Sequence, residues 1–535
     1  MSFVLNDAST QQMSFFDAYD TLTTREKKFL EKSWAKYFAE HIFPKIDEKP
    51  YAVLYSEKDS RPNTPVNIQV GALIIKEFMG MSDEEMLAAL MFDIRFPYAL
   101  HTTSFQEQPM SDRTLGRFRE RCSSYEKETG IDLLHDTIVS LSVEMAEMMK
   151  LDLSLKRMDS LMVSSNIKKM SRLELVYTCV ANLVKEVAEH TEELPEGLKH
   201  YIQADDRNRV IYHNRSEETS ARIAVILKDA ENLKQLCGSS YDESSSYQLL
   251  LRVLKEQTIA QEDGALRLRT KEDGGMNASI LQNPADPDAT YREKAGKQNR
   301  GYVANVTEAA GENGSIVTGY QYEKNIYSDS QFMKDYLEQE EVHPQPATVV
   351  ADGAYSGRDN EEVAAEKNVK LVVTNLTGRE SEDIAADFEF NEEGTKVEKC
   401  AGGFEPKSCS YNPQTGQCTA SFHRSQCEQC PHKDQCHPKF FKRTCRKSIS
   451  VNTKRRAQQQ RYRGTEEFKK LSSFRNGVET IPSILRRKYQ VDHMPIRGLV
   501  RSKLFFGCKI AALNFSKFCK YMQGCINHAP NTAIA

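Results

Sequence analysis

Pro346-Ala-Thr-Val-Val-Ala-Asp352-Gly-Ala-Tyr-Ser-Gly357 reads as a short buried strand that ends on an acid. Small and β-branched residues leave no solvent-facing alternation, the pattern of a strand covered on both faces. The glycines beyond it let backbone or a ligand approach closely. Acids at the ends of such strands lie where open α/β sheets present their ligands. The same aspartate also suits a plain structural role, capping the helix predicted from 358 or holding a turn.

Working outward, the sequence predicts a helix over 358–367 and a strand at Val369-Lys-Leu-Val-Val-Thr374. Upstream lie a helix over 328–340 and two strand-like runs, Gly301-Tyr-Val-Ala-Asn-Val-Thr-Glu-Ala309 and Gly314-Ser-Ile-Val-Thr-Gly-Tyr-Gln-Tyr322. Gly311–Gly314 forms the turn between them, and Asn283-Pro-Ala-Asp-Pro-Asp288 precedes them as a loop by composition. Strands alternating with helices after a meander argue for an α/β domain. Residues 171–258 return to helical periodicity, broken at Gly238-Ser-Ser-Tyr-Asp-Glu-Ser-Ser-Ser246. The first 150 residues are also helical in pattern. Ser111-Asp-Arg-Thr-Leu-Gly-Arg-Phe-Arg-Glu-Arg121 starts with good capping residues and carries Arg113 and Arg117. Such a helix suits the major groove of DNA, and it equally suits closing a bundle.

The chain has 535 residues, enough for two to four structural units. No apolar run approaches the roughly 20 residues needed to span a bilayer. The N-terminus lacks the basic start and apolar core of a secretory signal, so a cytoplasmic protein without membrane contact is expected. A net charge of −4 hides an asymmetry: residues 437–520 hold 22 Lys and Arg against four acids, or +18, leaving −22 elsewhere. A basic window of this length favours a polyanion over an idle solvated face.

Two further acids stand out. Asp159, between Met158 and Leu161-Met-Val163, is a charge in an apolar setting, which a metal or the neighbouring Arg157 would relieve. Asp152, at the start of the same strand, is less apt. Glu479 follows Arg475 by four residues, hence on one helical face, and such a pair is most often a surface salt bridge. Pro482 should kink or reset the turn there. Three carboxylates with open positions suit Mg²⁺ or Mn²⁺, and paired divalent ions are the means by which phosphodiesters are cut.

Taken in order, several segments resemble the DDE transposases of bacterial insertion sequences. Arg157-Met-Asp-Ser-Leu-Met-Val-Ser-Ser-Asn-Ile167 is similar to their first-acid motif, and Val350-Ala-Asp-Gly-Ala-Tyr355 to their second. Asp286-Pro-Asp-Ala-Thr-Tyr-Arg-Glu-Lys294 with Gly301-Tyr302 resembles the approach to their second strand. Arg475-Asn-Gly-Val-Glu479, continuing to Arg497-Gly498 and Lys503 through Ala511-Ala-Leu-Asn-Phe515, resembles the third-acid helix and closing segment. The likeness runs from about residue 60 to 520. In a related signature the third acid is preceded by Tyr and followed by Lys; here those places hold Ser472 and Arg486.

The resemblance implies a ribonuclease-H-like mixed-sheet catalytic core, α/β, with helical insertions and an all-α N-terminal bundle. It implies an N-terminal DNA-binding domain over 1–150 and a catalytic core over 151–380 containing the 171–258 helical insertion. A Cys-rich insertion over 381–455 and a last part of the core, with a basic helical tail, over 456–535 complete it. Asp159, Asp352 and Glu479 become the metal-binding catalytic acids. Arg475, Arg486, Arg497, Arg501, Lys503, Arg113 and Arg117 become DNA contacts. Partners are transposon ends and target DNA, with the chain oligomeric on DNA.

Seven of the 13 cysteines fall between 400 and 445. In a reducing compartment such density suggests metal over disulfides. Cys400, Cys427, Cys430 and Cys436 are the preferred structural zinc set, with Cys409, His432 and His437 as substitutes. The rival is a loosely ordered insertion of free thiols, since 398–440 reads as polar and coreless. Rival functions are a DNA-binding protein without catalysis, which needs the basic segments but not the acids, and a ribonuclease-H-like nuclease without strand transfer.

Overall fold

The run around Asp159, from Leu153 to Val163, forms strand β1, Leu155–Ser164. The structure is a computed structural model describing residues 1–6, 17–58, 61–103, 110–191, 194–212, 218–294, 296–375 and 381–528. The chain divides into two compact units, Met1–Tyr336 with Thr480–Ala535, and Leu337–Glu479. The tail from Thr480 onward groups with the first part of the chain. The whole is mixed α/β. Among the described residues no helix is long and apolar enough to cross a membrane.

The first unit begins with helices. Asp83–Phe92 opens on a capping box between Ser82 and Glu85. Val66–Met79 is buried from Val66 through Lys76 and stops at Gly80, whose φ of 71° ends the helix in the left-handed conformation. Thr114–Thr129 and Leu133–Met148 follow. The 30-residue helix Leu499–His528 packs against Val66–Met79, Thr114–Thr129 and Leu133–Met148, so the chain's last helix completes the bundle made by its first ones.

After β1 comes a helical insertion, Arg172–His190, Thr219–Cys237 and Ser245–Gln257, with a core of its own that includes Val180, Leu183, Leu227, Leu233 and Leu250. A small hairpin, β2 (Thr258–Ala260) and β3 (Leu266–Leu268), closes it. Next stand β4 (Thr290–Lys294), β5 (Lys297–Gly311) and β6 (Gly314–Lys324), all antiparallel. The turn between β5 and β6 falls at the expected glycines, Gly311 opposite Gly314. β1 pairs antiparallel with β5, placing Asp159 opposite Val306 and Arg157 opposite Glu308.

The loop read as Asn283–Asp288 is a buried clasp. Asp286 is fully buried and accepts hydrogen bonds from Ser165 Oγ, from Tyr302 Oη (2.6 Å) and from Gly498 N (3.2 Å). Asp288 Oδ2 accepts from Leu499 N at 3.2 Å. The two aspartates cap the long C-terminal helix, where unpaired N–H groups and the helix dipole favour negative charge.

In the second unit β7 (Ala347–Ala351) and β8 (Val369–Val373) are parallel, joined through helix Arg358–Glu366. β9 (Glu389–Phe390) and β10 (Val397–Lys399) form a short ladder. The stretch expected to be coreless is instead largely a sheet. Strands β11 (Ser408–Asn412), β12 (Gln417–His423), β13 (Lys439–Phe440) and β14 (Thr444–Ser450) pair antiparallel in the order β11-β12-β14-β13. Its inward positions, Cys418, Ala420, Phe422 and Ile449, pack with Phe388, Val397 and Ala457. Alternation of single apolar residues among charged ones hid this core from composition. Helix Glu466–Asn476 packs along β7 and ends the unit.

Candidate active site

Asp352 follows β7 directly, as its strand pattern required. It caps the turn Gly353–Tyr355, with Oδ1 accepting from Gly353 N at 2.6 Å and from Asn375 Nδ2 at 3.2 Å. Both bonds fall on Oδ1. A Cβ on residue 353 would lie 2.0 Å from the Asn375 carbonyl oxygen, so only glycine fits between the ends of the two parallel strands. Asn375, two residues past β8, is a site residue that sequence reading missed; a polar residue after a buried strand gives too common a signal.

Glu479 closes the turn Gly477–Glu479, immediately after the helix that packs on β7. Its Oε1 accepts from Arg475 Nη1 at 2.7 Å. The partners differ sharply in exposure, 9% for the Arg475 side chain against 61% for Glu479. Arg475 therefore holds Glu479 from beneath. Pro482 lies in the first turn of the next helix, Thr480–Arg487, where a missing N–H costs no hydrogen bond. The proline resets the chain as expected.

Asp159 is half-buried on β1. Two residues earlier on the same face, Arg157 contacts Glu308, Nε to Oε2 at 2.6 Å. Lys517 of the C-terminal helix donates to Glu308 Oε1 at 2.7 Å and to Ser315 Oγ at 2.8 Å. Glu308 is fully buried. Burial acts to raise its carboxyl, and the Lys517 and Arg157 charges overcome that and hold it below the usual range. The end of β1 is also fastened: Asp492 Oδ1 accepts from Ser164 N at 2.9 Å, and Arg486 Nη2 donates to Met162 O at 2.8 Å. Arg486 also meets Asp492 Oδ2 at 3.1 Å.

Of the other expected DNA contacts, Arg113 and Arg117 stand exposed at the start of Thr114–Thr129. Arg119 and Arg121 of that helix turn inward, to Asp83 and over the Tyr55 ring. Arg501 is exposed, as is Arg497, whose Nε donates to Asn166 O at 2.7 Å. Lys503 is committed to an internal acid pair, 3.1 Å from Glu126 and 3.2 Å from Asp132. Burial and Asp132 push the Glu126 carboxyl up, and Lys503 opposes them. Cys400, Cys427, Cys430 and Cys436 line one small cavity together with His432, whereas Cys409 and His437 do not. Among the described residues no three His, Cys, Asp or Glu side chains are grouped as metal ligands.

Two family models match the chain. One, described as "Transposase DDE domain", covers residues 391–519, and the other, "Transposase domain (DUF772)", covers residues 26–121. No curated protein and no solved structure matches it. The first span contains Arg475, Glu479 and the cysteine-rich sheet, and the second contains Arg113 and Arg117; Asp159 and Asp352 lie between them. Both descriptions name the same kind of protein, from the two ends of one chain. The two matches together support a DDE-type insertion-sequence transposase.

Proposed function

We propose that this chain cuts the DNA ends of an insertion sequence and joins them to target DNA, with Asp159, Asp352 and Glu479 holding divalent metal. The observation that carries the reading is the pair of transposase matches flanking a strand-end aspartate held through one oxygen by Gly353 N and Asn375. The donor set fits Mg²⁺ or Mn²⁺: carboxylate oxygens only, with Glu479 exposed and one of its oxygens taken by Arg475. When bound, two such ions supply the Lewis acidity that hydrolysis and transesterification of a phosphodiester need. Asp352 is oriented by Gly353 N and Asn375, Glu479 by Arg475, and Asp159 by its place on a strand paired along its length. We take the core as ribonuclease-H-like, the partners as transposon ends and target, and the DNA-bound form as an oligomer that pairs two ends.

The test is a duplex carrying the element's end, incubated with the chain and a supercoiled target in Mg²⁺ or in EDTA. Mg²⁺-dependent nicks with free 3′-OH ends and end-to-target joints are expected. Nicks without joints would move the assignment to a nuclease, and binding without nicks to a silent DNA-binding protein.

End binding by Arg113 and Arg117 has its own signature. If each neutralises one phosphate, replacing both with Ala lowers the slope of log affinity against log salt by about two. Both are exposed, so the thermal unfolding transition should stay in place. An unchanged salt slope would remove this helix from the DNA interface.

A further inference from the structure

Cys400, Cys427, Cys430 and Cys436 come from three separate pieces of the second unit, yet they line one cavity of about 20 Å³. Cys400 follows β10 in a tight turn, with Gly403 N donating to Cys400 O at 2.8 Å and Cys400 N to Phe404 O at 3.0 Å. Cys427 lies in the short helix Arg424–Glu428 that leaves β12, and Cys430 two residues beyond it. Cys436 ends the turn Lys433–Cys436, its N–H bonded to His432 O at 2.8 Å. A Cβ on Gly402 would lie 2.9 Å from Cys430 Sγ, so the glycine lets that sulfur settle against the Cys400 turn. All four thiols are half-buried. The other three cysteines of the stretch lie off the cavity. Cys418 and Cys445 are buried in the sheet, and Cys409 accepts from Val397 N at 3.5 Å.

We propose that these four cysteines form a thiolate site for one Zn²⁺ that staples the module to itself. The cavity is about the size that admits a single small guest. Its remaining walls include Phe404, Phe422 and Pro438, with Lys433 and Lys447, and bring no carboxylate, so the set selects a thiophilic ion over Mg²⁺. As the side chains stand, they are not gathered as ligands. Capture draws the sulfurs inward to about 2.3 Å from the ion and releases their protons to solvent. Because the three pieces meet only in the folded module, metal capture there adds to folding free energy. The gain matters because the module's core is small, built on alanines with a few larger residues. This inference is independent of the transposase reading.

The experiment is metal analysis of the full chain purified under reducing conditions and reconstituted with Zn²⁺ or Co²⁺. About one Zn²⁺ per chain is expected, and Co²⁺ should give intense thiolate-to-cobalt charge-transfer absorption with tetrahedral visible bands. Cys430→Ser should lose the ion, while Cys409→Ser and Cys445→Ser keep it. Because a ligand variant can also fail to fold, alkylation of the native wild type provides a second reading. With metal bound, peptide mapping should show the four cavity cysteines protected, and removal of the metal by a chelator should expose them. Wild type that takes up no stoichiometric Zn²⁺ overturns the proposal. So does metal retained in Cys430→Ser with Cys436→Ser, or alkylation of the four that a chelator leaves unchanged.

Discussion

Glu479→Gln is expected to lower Mg²⁺-dependent end cleavage by at least about a thousandfold, roughly 4 kcal/mol of barrier, while end binding persists. The substitution keeps the side chain's size and its ability to accept from Arg475, and the side chain is 61% exposed, so folding should be unaffected. What it removes is the charge that, in the proposed site, would hold a divalent ion. Arg475→Gln tests a different role, since that guanidinium is buried and bonded to Glu479 Oε1. A residue that only orients a metal ligand is worth about 10- to 100-fold. The expected order is therefore a near-complete loss for Glu479→Gln and a partial one for Arg475→Gln. Equal and small losses in both would place the third acid elsewhere.

Glu308→Gln should destabilise the first unit by about 3–5 kcal/mol, far more than any substitution of the exposed arginines. It removes the buried charge with which Arg157 and Lys517 both pair. Lys517→Met should cost less, because Arg157 still pairs with Glu308. The pH dependence follows from the sign of the shift. Glu308 is held below its ordinary value in the folded chain, so its contribution is complete above the unfolded glutamate pKa, about 4.3. It is lost as pH falls through the lower folded value. Denaturant unfolding at pH 7 and below pH 4 should show wild type and Glu308→Gln converging in acid. A constant difference across that range would contradict the assignment.

The parts of the molecule that could be read from sequence are those whose cause is local. Asp352 announces itself through six residues of strand and turn, and the β5–β6 hairpin through its spaced glycines. Helices 329–339 and 358–366 fall within a residue of the expected bounds for the same reason. What escaped depends on distant partners. The clasp at Asp286 looks like an ordinary Pro/Asp loop, because Ser165, Tyr302 and Gly498 reach it only in the folded chain. The basic window 437–520 overstated the charge offered to DNA. Lys447, Arg455, Arg461, Lys503, Lys509 and Lys517 pair with acids outside that window. Lys503 and Lys517 are instructive, since each sits in an apolar helical stretch, where a lysine more often answers a buried acid than reaches for solvent. The cysteine-rich stretch was underestimated because β11 to β14 alternate single inward residues with charged ones over short lengths.

The most direct test of the central claim is a count of Mn²⁺ bound to the chain on a cleaved transposon end. It would be measured by equilibrium binding with paramagnetic detection, for wild type and for Asp159→Asn, Asp352→Asn and Glu479→Gln. Three carboxylates sharing one metal site require about two ions per active site in wild type, and weaker or lost binding in every single variant. Full Mn²⁺ occupancy in any one of the three variants, with DNA still bound, would contradict that residue's place in the site.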